Sequence, residues 1–394
     1  MVSREISQGV YWVGALDFDR RLFDELIPLP EGTSYNSYLI RGSTKTALID
    51  TVDPKFEEEL IVNLIKLGIE QIDYIVINHA EQDHSGSLPM VLEMYPRAKV
   101  VTNEKCRDLL VSLLQIPPES VMVVKDGDTL PLGDRTLRFF LTPWTHWPET
   151  QITFLVEDRI LFPCDLFGFH TASSELFITN EAEAYRSAKR YYAEIMMPFR
   201  NSIRGYIPKV RDLNPVMIAP SHGPVNKNPK FILDAYADWV SDDVKNVVVL
   251  PYVSMHGSTQ KMVDHLTGAL IQRGVNVKPF NLTETDIGEL AYSLVDAATV
   301  VVGTPTVLFG PHPQVVYATY LANALKPKVR FASVIGSFGW GGKAVDTIVK
   351  MLDHVKVEVL EPVVIKGLPD EAAVVALNRL ADDIAKKHKE AGIL

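Results

Sequence analysis

The densest chemistry in the chain lies in residues 74–90, Tyr-Ile-Val-Ile-Asn-His-Ala-Glu-Gln-Asp-His-Ser-Gly-Ser-Leu-Pro-Met. Residues 74–77 are apolar or β-favouring and predict a buried strand. The chain then delivers His79, Glu81, Asp83 and His84 within six residues. In an extended segment residues two apart face the same way. His79 and Glu81 can therefore converge on one point, while Asp83 and His84, past a bend, aim at a neighbouring one. Ser87-Leu88-Pro89 marks the start of a helix. Two imidazoles and two carboxylates on one loop at the end of a strand make a metal-site candidate; a solvated loop rarely carries ligands at this density.

Three later positions share that address. His146 sits in a Pro-bounded loop, residues 142–150, after a strand expected at 137–141. Asp165 directly follows an apolar strand at 159–164. His222 sits in Ala219-Pro220-Ser221-His222-Gly223-Pro224, after a short strand at 216–219. Any one of them alone reads as an ordinary loop or core polar residue. Four strand ends bearing His and Asp read as one site, and a carboxylate such as Asp165 has two oxygens with which to bridge two cations. His170, close in sequence to Asp165, is a candidate to donate a proton or hydrogen bond to substrate; a surface loop His is the plain alternative. Tyr191 and Tyr192 precede an apolar stretch, which favours a core role, with Tyr192 kept as a catalytic candidate.

The elements that must position these groups follow from pattern. Strands open the chain, a helix at 55–67 leads into the strand before His79, and a helix at about 86–95, a strand at 99–102 and a helix through residue 113 follow. Short strands then run to Cys164. This succession indicates a sheet-rich α/β or α+β domain, two sheets with helices outside. A helix beginning at Pro229 closes it. From residue 244 the pattern becomes clean β/α alternation: strands at 246–253, 276–280, 299–302, 329–335 and 356–362, with helices at 259–273, 313–325, 344–354 and 369–391. That is the rhythm of a doubly wound parallel sheet. The expected domains are residues 1–243 and 244–394.

Composition bounds the function. The 394 residues suit two domains, and a hydrophobic content of 47% supports full cores. A net charge of −10 argues against nucleic-acid or anionic-membrane surfaces. No apolar run long enough for a transmembrane helix and no signal-peptide core is visible. Two cysteines, Cys106 and Cys164, exclude a disulfide framework and a four-cysteine iron site, and fit a cytoplasmic protein.

The first turn of the alternating half is Ser254-Met255-His256-Gly257-Ser258-Thr259. It has neither GxGxxG spacing nor a P-loop lysine, but hydroxyls, a Gly and a helix start can hold a phosphate. Two further turns, Thr304-Pro305-Thr306-Val307-Leu308-Phe309-Gly310 and Ser337-Phe338-Gly339-Trp340-Gly341-Gly342, also lie at C-terminal strand ends, where a flat ring would rest.

His79-x-Glu81-x-Asp83-His84, His146, Asp165 and His222 resemble, in order and spacing, the ligand set of flavodiiron proteins. These join a metallo-β-lactamase-like αβ/βα sandwich to a flavodoxin-like domain. The resemblance implies His79, Glu81 and His146 on one iron, Asp83, His84 and His222 on the other, and Asp165 between them; His84 turns away from the metal in some relatives. The hydrolase branch of the fold reads H-x-H-x-D-H, and Glu81 in place of the second His makes a harder site that suits iron. The first and third turns resemble the FMN loops of this family. The second departs from it, carrying Val307-Leu308-Phe309 where many relatives have Asn. The resemblance covers residues 8–390 and is to the minimal two-domain class, without a fused rubredoxin or flavin reductase module. It implies reduction of dioxygen or nitric oxide, an external donor such as rubredoxin or a reduced deazaflavin, and a head-to-tail homodimer, with a tetramer as the larger alternative. The competing readings are a zinc hydrolase with an appended flavodoxin and an electron carrier with a vestigial metal site.

Overall fold

The computed structural model describes residues 3–341, 343–352 and 357–394. Gly342, the expected helix end at His354 and the expected strand start at Lys356 lie outside the described residues. The chain divides into two compact units, residues 1–191 with 199–240, and residues 192–198 with 241–394.

In the first unit a seven-stranded sheet runs in the order Arg4–Ser7, Val10–Trp12, Tyr38–Arg41, Thr46–Ile49, Tyr74–Val76, Lys99–Thr102, Val121–Val123. It is antiparallel up to the Tyr38–Arg41/Thr46–Ile49 pair and parallel beyond it. A five-stranded sheet runs Thr129–Pro131, Thr136–Leu141, Gln151–Leu155, Ile160–Phe162, Met217–Ile218. Side chains on a strand alternate between faces, and the core follows that alternation. Ile40, Ile49, Val76 and Val101 pack against Leu137, Phe139, Leu155 and Phe162 of the other sheet. Their neighbours Leu39, Leu48, Ile75 and Val100 turn the other way, onto Leu60, Leu64, Val91 and Leu110 of the covering helices. Two apolar faces on one sheet explain why its strands read as continuous hydrophobic runs.

The expected helix at 55–67 is Glu57–Lys66, entered through a short 3-10 turn that Asp53 caps by accepting from Lys55 N. The helix expected at 86–95 is Leu88–Met94, and a separate helical turn, Gln82–Ser85, precedes it. Asp83 and His84 lie on that turn, past the bend expected after Glu81. Two long helices, Glu181–Tyr191 and Arg200–Leu213, joined by a π-turn at Tyr192–Met196, were not expected. Their many charged residues mask the apolar stripe.

The second unit is a parallel sheet in the order Asn276–Asn281, Lys245–Tyr252, Ala297–Val307, Phe331–Phe338, Glu358–Val359. Its core joins Val248, Leu250, Val301 and Ile335 to Met262, Leu266 and Leu270 on one helix and Leu377, Leu380 and Ile384 on another. The last strand is interrupted: Glu358–Val359 and Val363–Lys366 pair separately with Phe331–Phe338, because Pro362 between them has no amide to donate. Helix Ile287–Leu294, capped by Asp286, adds to the expected set. The third strand runs on to Val307, well past residue 302, since Thr304 and Pro305 still pair with Gly336 and Ser337.

Candidate functional sites

The Tyr74–Val76, Thr136–Leu141, Ile160–Phe162 and Met217–Ile218 strands each end beside the same buried space. Past the first, Asn78 is tied down by Asp50, whose carboxylate accepts from Asn78 N at 2.7 Å and from its Nδ2 at 3.0 Å. This fixes the backbone just before His79.

The ligand candidates form two groups. In one, His79 Nε2 lies 3.0 Å and His146 Nε2 3.3 Å from Glu81 Oε2, and the same nitrogens lie 3.7 and 3.4 Å from Asp165 Oδ2. In the other, His84 Nε2 lies 3.3 Å from Asp83 Oδ1, and His222 Nε2 3.2 Å from Asp83 Oδ2. Both nitrogens approach Asp165 Oδ1, at 2.9 and 3.3 Å. Each oxygen of Asp165 therefore faces its own group. Ligands about 2.1 Å from one cation stand about 3.0–3.4 Å apart at octahedral to tetrahedral angles; six of the eight spacings fall in that range, with His84–Asp165 just below it and His79–Asp165 above it. Both oxygens of Asp83 and Oδ1 of Asp165 are buried without a hydrogen-bond partner. Orphaned carboxylate oxygens facing imidazole nitrogens are what a cation would satisfy, so the residues fit two metal ions. All seven candidates from the sequence, His84 included, are brought together.

The electrostatics agree. Burial pushes imidazoles toward neutrality, yet His146 is held up at about 9 by Asp165 and Glu81. His222 is held up at about 10 by Asp165 and Asp83. Burial pushes carboxyls up, yet Glu81 is drawn well below the usual carboxylate range by His146 and His79. Asp165 is drawn down as well, by the charge on His84 and by His146 and His222. Glu81 and Asp165 are thus anionic, and cations entering the site displace protons from the imidazoles.

The outer partners orient the rings. Glu149 Oε1 accepts from His79 Nδ1 at 2.7 Å and from Ala80 N at 3.1 Å. His222 Nδ1 donates to Ser34 O at 2.7 Å. Both bonds leave Nε2 free to face the cation. Asn36 holds the His222 loop by donating to Pro220 O at 2.8 Å and Gly223 O at 2.7 Å. Glu149 and Asn36 escaped sequence reasoning. The only signal for Glu149 is a carboxylate three residues past His146, and Asn36 carries none.

His170 is buried rather than on the surface. Its Nδ1 lies 2.8 Å from Thr33 Oγ1, its ring centroid 4.5 Å from that of His222, and it belongs to neither ligand group. Burial, then the charge of His222, keep it neutral, well below the usual histidine range. Tyr191 packs edge-on to His170 at 4.9 Å, whereas Tyr192 lies wholly buried in the π-turn.

In the second unit the three expected turns gather at the C-terminal edge of the sheet. Gly257, at φ +87°, precedes the helix Ser258–Gln272, and Ser254 Oγ accepts from Gln260 N at 3.1 Å. Gly257, at the N-cap, has no side chain to cap with, and with Gln260 N taken by Ser254 the amides of Ser258 and Thr259 are left to an anion. Thr259 Oγ1 meets Ser337 Oγ at 3.2 Å, joining the first turn to the third. Phe309 meets Trp340 edge-on at 4.8 Å, joining the second to the third. Met255, His256 and Gly339 are exposed around them. The free amides of that helix start beside exposed aromatic rings fit a phosphate carrying a flat ring.

Residues 33–223 match the family described as ODP family beta lactamase, and residues 250–376 match Flavodoxin. A nitric oxide reductase from Moorella thermoacetica is 36% identical over 363 residues, 90% of this chain and 90% of that protein. A coenzyme F420H(2) oxidase from Methanothermobacter marburgensis is 34% identical over 365 residues, 89% of this chain and 90% of that protein. Among solved structures, rubredoxin oxygen:oxidoreductase from Desulfovibrio gigas superposes with a TM-score of 0.95 at 30% identity, covering 98% of this chain and 99% of that one. The flavodiiron protein from Giardia intestinalis gives 0.92 at 29%, covering 98% and 96%. The fold is therefore a metallo-β-lactamase-like αβ/βα sandwich followed by a flavodoxin-like doubly wound sheet. With that architecture, two facing ligand groups and whole-length relatives at this identity, the chain belongs to the flavodiiron protein family.

Proposed function

We propose that this chain is an oxidoreductase that reduces dioxygen to water, nitric oxide to nitrous oxide, or both, holding two iron ions in residues 1–243 and FMN in residues 244–394. The observation that carries the reading is Asp165, whose two oxygens each face a separate set of donors. When bound, FMN relays electrons from a carrier, and the iron pair supplies them together with Lewis acidity. His79, Glu81 and His146 hold one ion, Asp83, His84 and His222 the other. Glu81 adds an oxygen ligand, which favours iron over zinc and argues against a hydrolase. Glu149 and the Ser34 carbonyl keep two imidazoles in the ligating tautomer. Thr33 links His170 to His222 through its hydroxyl, at 2.8 and 3.3 Å. That link gives His170 the role of holding a proton at Nδ1 or Nε2 beside the second ion.

Reduction of either gas consumes protons as well as electrons, and we assign their relay to His170, whose Nδ1 meets the Thr33 hydroxyl at the edge of the site. The donor is a rubredoxin or a reduced deazaflavin; the names of the Desulfovibrio and Methanothermobacter relatives support this pair. We assign the working form to a head-to-tail homodimer. The two buried, free cysteines suit a reducing cytoplasm. Among the described residues no helix is long and apolar enough to cross a membrane.

The test is metal and flavin content of protein made in iron-replete anaerobic cells, followed by mixing the reduced protein with each gas. Two irons and one FMN per chain, with rapid reoxidation by at least one gas, are expected. Two persistent zincs, or no metal, would return the protein to the hydrolase or carrier reading.

A further inference from the structure

The seven metal-facing side chains are not equally enclosed. His146 is 13% exposed and Glu81 15%, whereas the other five are at most 5% exposed. Around His222 aromatic rings fill the space, with centroids at 6.2 Å for Phe23, 6.1 Å for Tyr35 and Tyr191, and 4.5 Å for His170. The first donor group therefore has an open side that the second lacks, and the wall of that open side is aromatic. Phe199 lies 6.4 Å from His146, and Trp144 stacks on Phe199 at 6.3 Å with the planes 14° apart. The backbone of Trp144 is strained. Its φ is +67°, in the left-handed region that disfavours a bulky side chain, and with the residue 50% exposed burial does little to offset this. The loop is nonetheless pinned. Trp144 N donates to Trp147 O at 2.7 Å, Thr145 Oγ1 to Thr142 O at 2.8 Å, and Tyr206 OH to Pro143 O at 3.1 Å. A strained residue held in one place by its neighbours, two positions before a metal-ligand candidate, points to a task at the site.

We propose that Trp144 and Phe199 are specificity-determining residues: a stacked aromatic wall at the open side of the metal site, which admits uncharged diatomic gases to the first donor group and turns hydrated anions away. The proposal rests on the assignment of an iron pair to the first unit. A pair of cations attracts anions, and an anion seated on them would occupy the position the gas needs. To pass the wall an anion must shed water against apolar surface, and the electron-rich ring faces give it nothing in return. A neutral diatomic gas carries no charge to desolvate. The two rings act in series, since Phe199 meets the His146 imidazole and Trp144 holds Phe199 from outside.

The experiment titrates the oxidised, iron- and flavin-loaded protein with azide, read by difference absorbance, in the parent, Phe199→Ala, Trp144→Ala and Asp24→Asn. Asp24 is the control for charge, because its carboxylate acts through space on Glu81 and His146. Iron content is measured on each sample, and each reduced protein is mixed with dioxygen and with nitric oxide. Both alanine variants are expected to keep their iron and to bind azide about tenfold or more tightly than the parent, with gas reoxidation changed by a smaller factor. Phe199→Leu, which keeps an apolar wall, stays near the parent. Unchanged azide affinity in Phe199→Ala with its iron retained overturns the proposal. Loss of gas reoxidation in that variant also overturns it, because the ring would then serve the reaction and not its entrance. A gain in azide affinity confined to Asp24→Asn overturns it in favour of charge. If Phe199→Ala fails to hold iron, Trp144→Ala decides by the same criteria, since its ring lies outside the ligand groups. A parent protein without an iron pair overturns the metal assignment itself, an outcome separate from all of these.

Discussion

The two cofactor regions are built on opposite plans. In the first unit the donors are charged or ionisable side chains, buried or half-buried at four strand ends and held by a further layer of hydrogen bonds through Glu149, Ser34 and Asn36. In the second, the candidate binding edge is exposed and made of backbone turns, small hydroxyls and apolar side chains at Leu308, Phe309 and Trp340. A cation binds through particular atoms, so its site is specified by residue type. A flavin binds through amides and flat surfaces, so its site is specified by where the backbone goes. Substitutions should therefore act locally and chemically in the first region, and through shape in the second.

The largest effect is expected at Asp165. Asp165→Ala removes the oxygens that face both groups, and iron content should fall from two ions per chain, one for each donor group, to none, with reoxidation by either gas lost. FMN content should stay at one per chain. Elemental analysis beside the flavin absorbance checks both; a variant that retained two irons would show that the groups do not depend on a shared carboxylate. Glu149→Gln is gentler. The amide still accepts from His79 Nδ1 but no longer supplies charge, and loss of such an outer partner costs about 10–100-fold in metal affinity. Competition with a chelator measures it, and unchanged affinity would limit the first region's design to its direct ligands.

Shape governs the second region, and Gly303 tests this. A β-carbon there would stand 2.7 Å from Tyr252 Cβ, between the two strands whose turns hold the candidate phosphate and ring sites. Gly303→Ala should cost about 1–3 kcal/mol and weaken FMN, with iron content unaltered. Denaturant unfolding and flavin titration on one sample report both. A fall in iron as well as FMN would break the separation between the regions.

The same contrast explains what was legible in the sequence. His79, Glu81, Asp83, His84, His146, Asp165 and His222 were legible because ligand types are rare at strand ends and their spacing is informative. Glu149 and Asn36 were not, since a hydrogen bond across 70 residues from Glu149 to His79 leaves no local pattern. Strands and long helices of the second unit were legible from periodicity. The hairpin that pairs Val307 with Gly310 around Leu308 and Phe309 was not, because a run of Thr-Pro-Thr-Val-Leu-Phe lacks the Gly and Asn that announce a tight turn. Helices Glu181–Tyr191 and Arg200–Leu213 were hidden by their charge, and the latter also by Pro208 within it.

The smallest effect concerns a residue in neither site, and it shows that the second unit has a pH limit of its own. His388 is buried in the last helix, with Nε2 2.7 Å from Thr299 Oγ1 and Nδ1 2.8 Å from Asn246 Oδ1. Both partners are neutral, and the pattern suits a neutral ring that donates from one nitrogen and accepts at the other. Burial lowers its pKa to about 4, against about 6.5 in an unfolded chain. The folded state therefore binds fewer protons between these values, so stability falls as pH drops from about 6.5 to about 4 and is fully present above that window. With screening allowed for, the loss is about 1–2 kcal/mol. His388→Gln keeps a donor and an acceptor but cannot titrate, and its denaturant midpoint for the second unit should change less across that window than the parent's. Equal slopes in both proteins would assign the acid sensitivity to the carboxylate and imidazole groups of the first unit instead.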